Sequence, residues 1–176
     1  MDARIEKTLK KIRDAYLVEK KGKDREQVKV SDVCMRAGIN KTTFYNHFRD
    51  VFHLAETMEN DLVDQIVSAC KHADKILSDP RLLFTELLSL ATAQEETISI
   101  LFDARRPEFV AKLGDRFLWK YDRFLPSERD KNIASLCLMG SSFLLGKDFS
   151  FLNQILDKLK KFWPKTYFLV DNQKLY

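Results

Sequence analysis

The stretch 37-AGINKTTFYNHF-48 decides how the chain is read. At 100° per residue, Phe44 and Phe48 point the same way and define a core-facing stripe. Thr42 and Asn46 point almost directly away from it, Thr43 and Tyr45 lie on the flanks, and His47 is intermediate. Lys41 falls in the first turn, where its long side chain can swing outward. Asn40 suits the N-cap of a helix over about 41–47. Gly38, two residues earlier, is the residue type that enters the left-handed region at little steric cost. Upstream, Val33 and Ala37 are four apart in a short helix over about 31–36. Two short helices joined by a tight glycine turn make a helix-turn-helix.

The outward face of the second helix carries hydroxyl, amide and phenol groups, with no Asp or Glu from 41 to 48. A merely solvated face mixes acids and bases, whereas phosphates and base edges favour an acid-free face of hydrogen-bonding groups. Taken without its neighbours, this helix would equally be an ordinary amphipathic one. The preceding helix and glycine turn tip the reading toward a recognition helix.

Charge along the chain agrees. Residues 1–54 hold 13 Lys+Arg against 8 Asp+Glu, a net of +5, and residues 55–176 hold 17 against 18, a net of −1. The positive excess is N-terminal, which fits an anionic partner there, though a basic solvated surface would look the same.

The 176 residues are 45% apolar and 11% aromatic, enough for one or two packed domains. Five glycines and four prolines speak against hairpin-rich β architecture. No apolar run approaches the ~20 residues that span a bilayer, and the N-terminus lacks a secretory h-region. Cys34, Cys70 and Cys137 are far apart in apolar helical patterns, which predicts buried thiols in a reducing cytoplasm.

The expected fold is all-α with about nine helices. The first covers about 3–20, with Ile5, Leu9, Ile12 and Tyr16 on one stripe. A long helix over 51–73 has Leu54, Met58, Leu62 and Ile66 four apart, widened by Val63, Val67 and Cys70. Further helices are predicted from Pro80, over 94–104, 107–124, 128–145 and 149–163. The predicted domains are 1–50 for DNA binding and 51–176 for effector binding and dimerisation, linked by the long helix.

The segment KVSDVCMRAGINKTTFYNHFRDVFHL resembles the DNA-binding domain of the TetR/AcrR family of transcriptional regulators. Val30, Val33, Ala37, Gly38, Ile39, Thr43, Phe44, Tyr45, His47, Phe48 and Leu54 match that family's pattern, with Asn40 in place of the usual serine. The resemblance implies phosphate contacts from Thr43, Tyr45 and His47, and base-facing roles for Lys41, Thr42 and Asn46. Val51 stands where the family has a phosphate-binding lysine. Arg49 is placed to compensate, with Lys29 and Ser31 meeting the backbone from the second helix.

The resemblance also implies a two-fold homodimer through the last two helices, where Leu136, Gly140, Phe143, Leu152, Ile155 and Leu159 would meet the partner. The alternative is that these stripes pack only within the monomer. An effector pocket for a small apolar or aromatic molecule is implied among the middle helices. Phe102, Phe109, Phe117, Trp119, Tyr121 and Phe143 would line it, or would be plain core. No nucleotide-binding glycine loop or Cys/His cluster is present, and His47 and His53 are badly spaced for a metal. Glu95-Glu96 reads as a solvated first turn. The expectation is therefore a regulator without cofactor, most simply a repressor on a palindromic operator released by a small molecule. A regulator or activator controlled by a protein partner is the alternative, and a helical enzyme or adaptor the remote one.

Overall fold

A computed structural model describes residues 3–132 and 134 of the chain, and all regular structure among them is helical. Cys137 and the predicted dimer residues Leu136, Gly140, Phe143, Leu152, Ile155 and Leu159 lie outside the described residues. The helices are α1 (Ala3–Lys20), α2 (Val30–Ala37), α3 (Lys41–Tyr45), α4 (Val51–Ala69), α5 (Pro80–Thr92), α6 (Glu95–Phe102) and α7 (Arg106–Lys120). Residues 128–132 are helical again. No helix among the described residues is long and apolar enough to cross a membrane.

The described chain gathers into two compact units. One is the chain up to Leu62 together with Gln94–Phe109; the other is Val63–Ala93 together with the described residues from Val110 onward. A cut at residue 50 does not follow these units, because α6 packs against α1 and α4 runs from one unit into the other.

In the first unit the core is built from Ile12, Tyr16, Val33, Phe44, Phe48, Leu54 and Met58, all buried. The apolar stripe of α1 does not stay buried to its start. Ile5 is 41% exposed, and every residue from 3 to 7 is exposed, so the first turns of α1 overhang the packed body. At its other end α1 buries Glu19, whose carboxylate accepts from Arg36 Nε at 2.6 Å and Lys23 Nζ at 3.1 Å. Those two cations, Arg36 first, hold the Glu19 carboxyl below the usual carboxylate range.

Glu59 of α4 is 2% exposed and takes Arg25 from the α1–α2 connection and Arg105 Nη2 (2.9 Å) from the turn before α7. Three segments remote in sequence are thereby tied through one carboxylate. A buried charge is tolerated only when paired and hydrogen-bonded.

In the second unit, Val63, Ile66, Val67, Leu83, Phe84, Leu87, Leu113 and Phe117 are buried. The end of α4 shows why the helix expected to reach 73 stops at Ala69. The Lys71 and His72 amides donate to Glu86 of α5 at 3.0 Å each, instead of to helical carbonyls. The Tyr121 hydroxyl donates to Val67 O at 2.9 Å, the carbonyl that Lys71 would have used. The Cys70 thiol donates to Glu86 as well, at 3.3 Å. Burial, then the Glu86 carboxylate, push that thiol up to about 12.

The helix expected over 94–104 is shorter because Asp103 leaves helical geometry, with φ 44° and ψ −119°. That over 107–124 ends at Lys120, and Asp122–Phe124 forms a 3-10 turn.

Candidate nucleic-acid interface

The turn between α2 and α3 rests on one residue's backbone. Gly38 sits at φ 64° and ψ 41°, the left-handed conformation, and the Gly38 and Ile39 amides return to Met35 O and Cys34 O. A Cβ added at Gly38 would meet nothing within 4 Å. Glycine is therefore required by the dihedral and not by crowding.

Asn40 caps α3 in extended geometry: its Oδ1 accepts the Thr43 amide at 2.7 Å. It also accepts the Thr43 hydroxyl at 2.9 Å. Although α3 is five residues long, the turn continues, as the His47 and Phe48 amides both reach back to Phe44 O. That keeps Phe44 (0% exposed) and Phe48 (4%) on one side, with ring centroids 5.7 Å apart. Tyr45 stands edge-on to Phe44 at 5.6 Å and remains 55% exposed.

Exposure follows the expected faces residue by residue. Lys41, Thr42, Tyr45 and Asn46 are exposed, while Thr43 and His47 are half-buried. Lys29, Ser31 and Arg49 are exposed too. The Lys29, Lys41 and Arg49 side chains form no ion pair among the described residues, whereas Arg13, Lys21, Lys23, Arg25 and Arg36 are all paired. Lys7, Lys10 and Lys11 of α1 likewise form no ion pair among the described residues, so uncommitted cations lie on α1 as well as beside α2 and α3. Two hydroxyls expected to meet the DNA backbone are committed within the protein: Thr43 to Asn40, and Ser31 to Asp32 Oδ1 at 3.1 Å.

Val51 is 5% exposed and belongs to the core, so a lysine there would face burial in this chain. The start of α4 is held by Asp50, whose Oδ1 accepts the His53 amide at 2.7 Å, while the Arg49 amide donates to His53 Nδ1 at 3.2 Å. The 50/53 and 40/43 pairs both have the N-cap-to-N3 spacing, the sequence signal by which these clasps are legible.

The aromatics expected to line one effector pocket are divided between the two units. Phe102 and Phe109 pack on each other at 5.2 Å in the first unit, and Phe117 and Tyr121 at 4.8 Å in the second. All four are buried. Trp119 is 76% exposed with Arg116 over its ring, so it lines no wall among the described residues; Phe143 lies outside them. Two clefts, of about 360 and 420 Å³, open in the first unit. The smaller is lined by Lys20, Asp24, Arg25, Glu26, Phe52, Phe102, Asp103 and Arg105, mostly charged. The larger takes in Lys21, Glu95, Glu96 and Asp103. Charged side chains make up most of both linings. Glu95 and Glu96 form the exposed first turn of α6, as expected, and pair there with Arg106 and Lys21.

Comparison with protein-family models, with curated proteins and with solved structures finds no match to this chain.

Proposed function

We propose that this chain is a DNA-binding transcriptional regulator in which α2, the Gly38 turn and α3 form a helix-turn-helix. The observation that carries the reading is the exposed, acid-free face of Lys41, Thr42, Tyr45 and Asn46, pinned from behind by Phe44 and Phe48. In the major groove, Asn46 offers the amide geometry that pairs with an adenine edge, and Lys41 the donor that suits guanine. Tyr45, Lys29 and Arg49 supply sequence-independent contacts to phosphate. The likeness of this segment to the TetR/AcrR pattern supports a homodimer on a palindromic operator, with half-sites roughly 34–36 Å apart.

A repressor released by a small molecule is the simplest form of this regulator. Any effector acts only through different affinities for the DNA-competent and incompetent states. Control by a protein partner is the second reading, favoured because among the described residues Phe102 packs on Phe109 and Phe117 on Tyr121, and the two clefts of the first unit are lined by charge.

The test is fluorescence anisotropy of the purified protein against DNA fragments over a salt series. Affinity should fall log-linearly with salt, by a slope of about 0.9 per phosphate neutralised. Absence of any salt-dependent affinity would overturn the proposal. Titration of small molecules into a bound complex separates the two forms of control: release by one supports the first, and release only by cell protein supports the second.

A further inference from the structure

We infer that Asn40 sets the DNA affinity of this chain by holding the Thr43 hydroxyl out of reach of phosphate, an inference that rests on the DNA-binding reading above. A threonine hydroxyl has one proton, and a phosphate oxygen at neutral pH only accepts. To grip a phosphate, Thr43 must donate. Its proton already goes to Asn40 Oδ1 at 2.9 Å, and its own amide donates to the same oxygen at 2.7 Å. The two bonds share one acceptor, so the side chain is fixed by the cap that starts α3. Thr43 is also only half exposed, unlike its neighbours Lys41, Thr42, Tyr45 and Asn46.

The same arrangement recurs on α2. Ser31 is exposed, yet its hydroxyl donates to Asp32 Oδ1 at 3.1 Å. Two of the three short hydroxyls on this surface, Thr43 and Ser31, are therefore spent within the protein, and Thr42 keeps its own. The backbone grip falls to the cations Lys29, Lys41 and Arg49, the Tyr45 phenol and the Thr42 hydroxyl, none of whose side chains has a hydrogen-bond partner among the described residues. Asn40 is a positioning residue: it acts through the Thr43 hydroxyl that it holds.

The test is a double-mutant cycle on DNA affinity, with circular dichroism to verify folding of each variant. Asn40→Gly keeps an acceptable N-cap while removing the competing acceptor. Thr43→Val removes the hydroxyl at nearly constant shape. Thr43→Val should leave the affinity within about twofold, since wild-type Thr43 makes no DNA contact. Asn40→Gly should tighten binding by about three- to tenfold, the worth of one released hydrogen bond. That gain should vanish in the Asn40→Gly/Thr43→Val double variant, an outcome a purely structural role for Asn40 would not give. A tenfold loss in folded Thr43→Val, or no gain in folded Asn40→Gly, overturns the inference while salt-dependent wild-type binding leaves the DNA-binding reading standing. Wild-type protein without any salt-dependent affinity overturns both.

Discussion

Single residues carry distinct loads along the 37–48 segment. Gly38 is held at φ 64° with open space where a Cβ would go, so Gly38→Ala should cost about 1–2 kcal/mol, all of it backbone strain. Gly38→Asn should cost less, because Asn tolerates the left-handed region. Urea unfolding of the two variants checks this; equal losses would mean that the turn had rearranged. Tyr45 and Asn46 are both exposed but differ in proposed role. Tyr45→Phe should weaken binding to all DNA sequences alike, whereas Asn46→Ala should change sequence preference, measurable against a randomised library. An unchanged preference for Asn46→Ala would sink the face assignment. Glu59 is the opposite case, a residue with no exposed surface to offer. Removing it as Glu59→Ala leaves Arg25 and Arg105 facing one another without their shared carboxylate, at a cost of about 3–5 kcal/mol. A loss below 1 kcal/mol in a calorimetric melt would show that the two arginines find other acceptors.

At the scale of elements, α3 is too short to stand by itself. Five residues lie far below the ~12–15 at which isolated helices become even marginal, so α3 exists because Phe44 is buried. Phe44→Ala should therefore cost about 3–5 kcal/mol and abolish DNA binding together with stability. Retention of native stability would show that Asn40 and Gly38 suffice to hold the segment. The C-terminus of α4 obeys a different rule. Its end is set by groups from α5 and α7, Glu86 and Tyr121, which take the amides and the carbonyl that would have carried the helix further. Buried there, Cys70 stays a thiol. Thiol reagents at pH 8 should label Cys70 only after unfolding, and rapid labelling of the native protein, read by mass spectrometry, would contradict the clasp.

For the whole molecule, titrating groups set opposite edges to stability. Glu19 is held low by Arg36 and Lys23. Glu86 is held low because the Lys71 and His72 amides, with the Cys70 and His72 side chains, outweigh its burial. As pH falls, the unfolded chain takes up these protons before the folded one does. The stability they contribute is present above the ordinary value of 4.5 and is lost below it. Burial moves Cys70, Tyr16 and Tyr121 the other way. As pH rises the unfolded chain loses those protons first, so stability is full below the ordinary thiol value of 9.0 and declines through about 12. Urea midpoints followed from pH 3 to 11 should show a plateau between about 5 and 9 that falls on both sides. Stability rising above pH 9 would contradict the burial of these three groups.

What the order of amino acids dictates by itself is local. The period of Leu54, Met58, Leu62 and Ile66, the Asn40 cap, the Gly38 turn and the face split of residues 41–48 all follow from 3.6-residue geometry and short-range hydrogen bonding, which act within a few residues. Hence the bounds of α1, and the burial of Phe44 and Phe48, agree with the periodicity of the sequence. The rest depends on partners distant along the chain. Glu59 cannot be matched to Arg25 and Arg105, nor the end of α4 to Glu86 and Tyr121, by any rule of spacing. Nor can a stripe reveal that Ile5 overhangs the core, or that Phe102–Phe109 and Phe117–Tyr121 fall in separate units. The sequence determined which face each helix shows; only the tertiary structure decided what each face meets, because long-range pairing depends on where the chain returns in space.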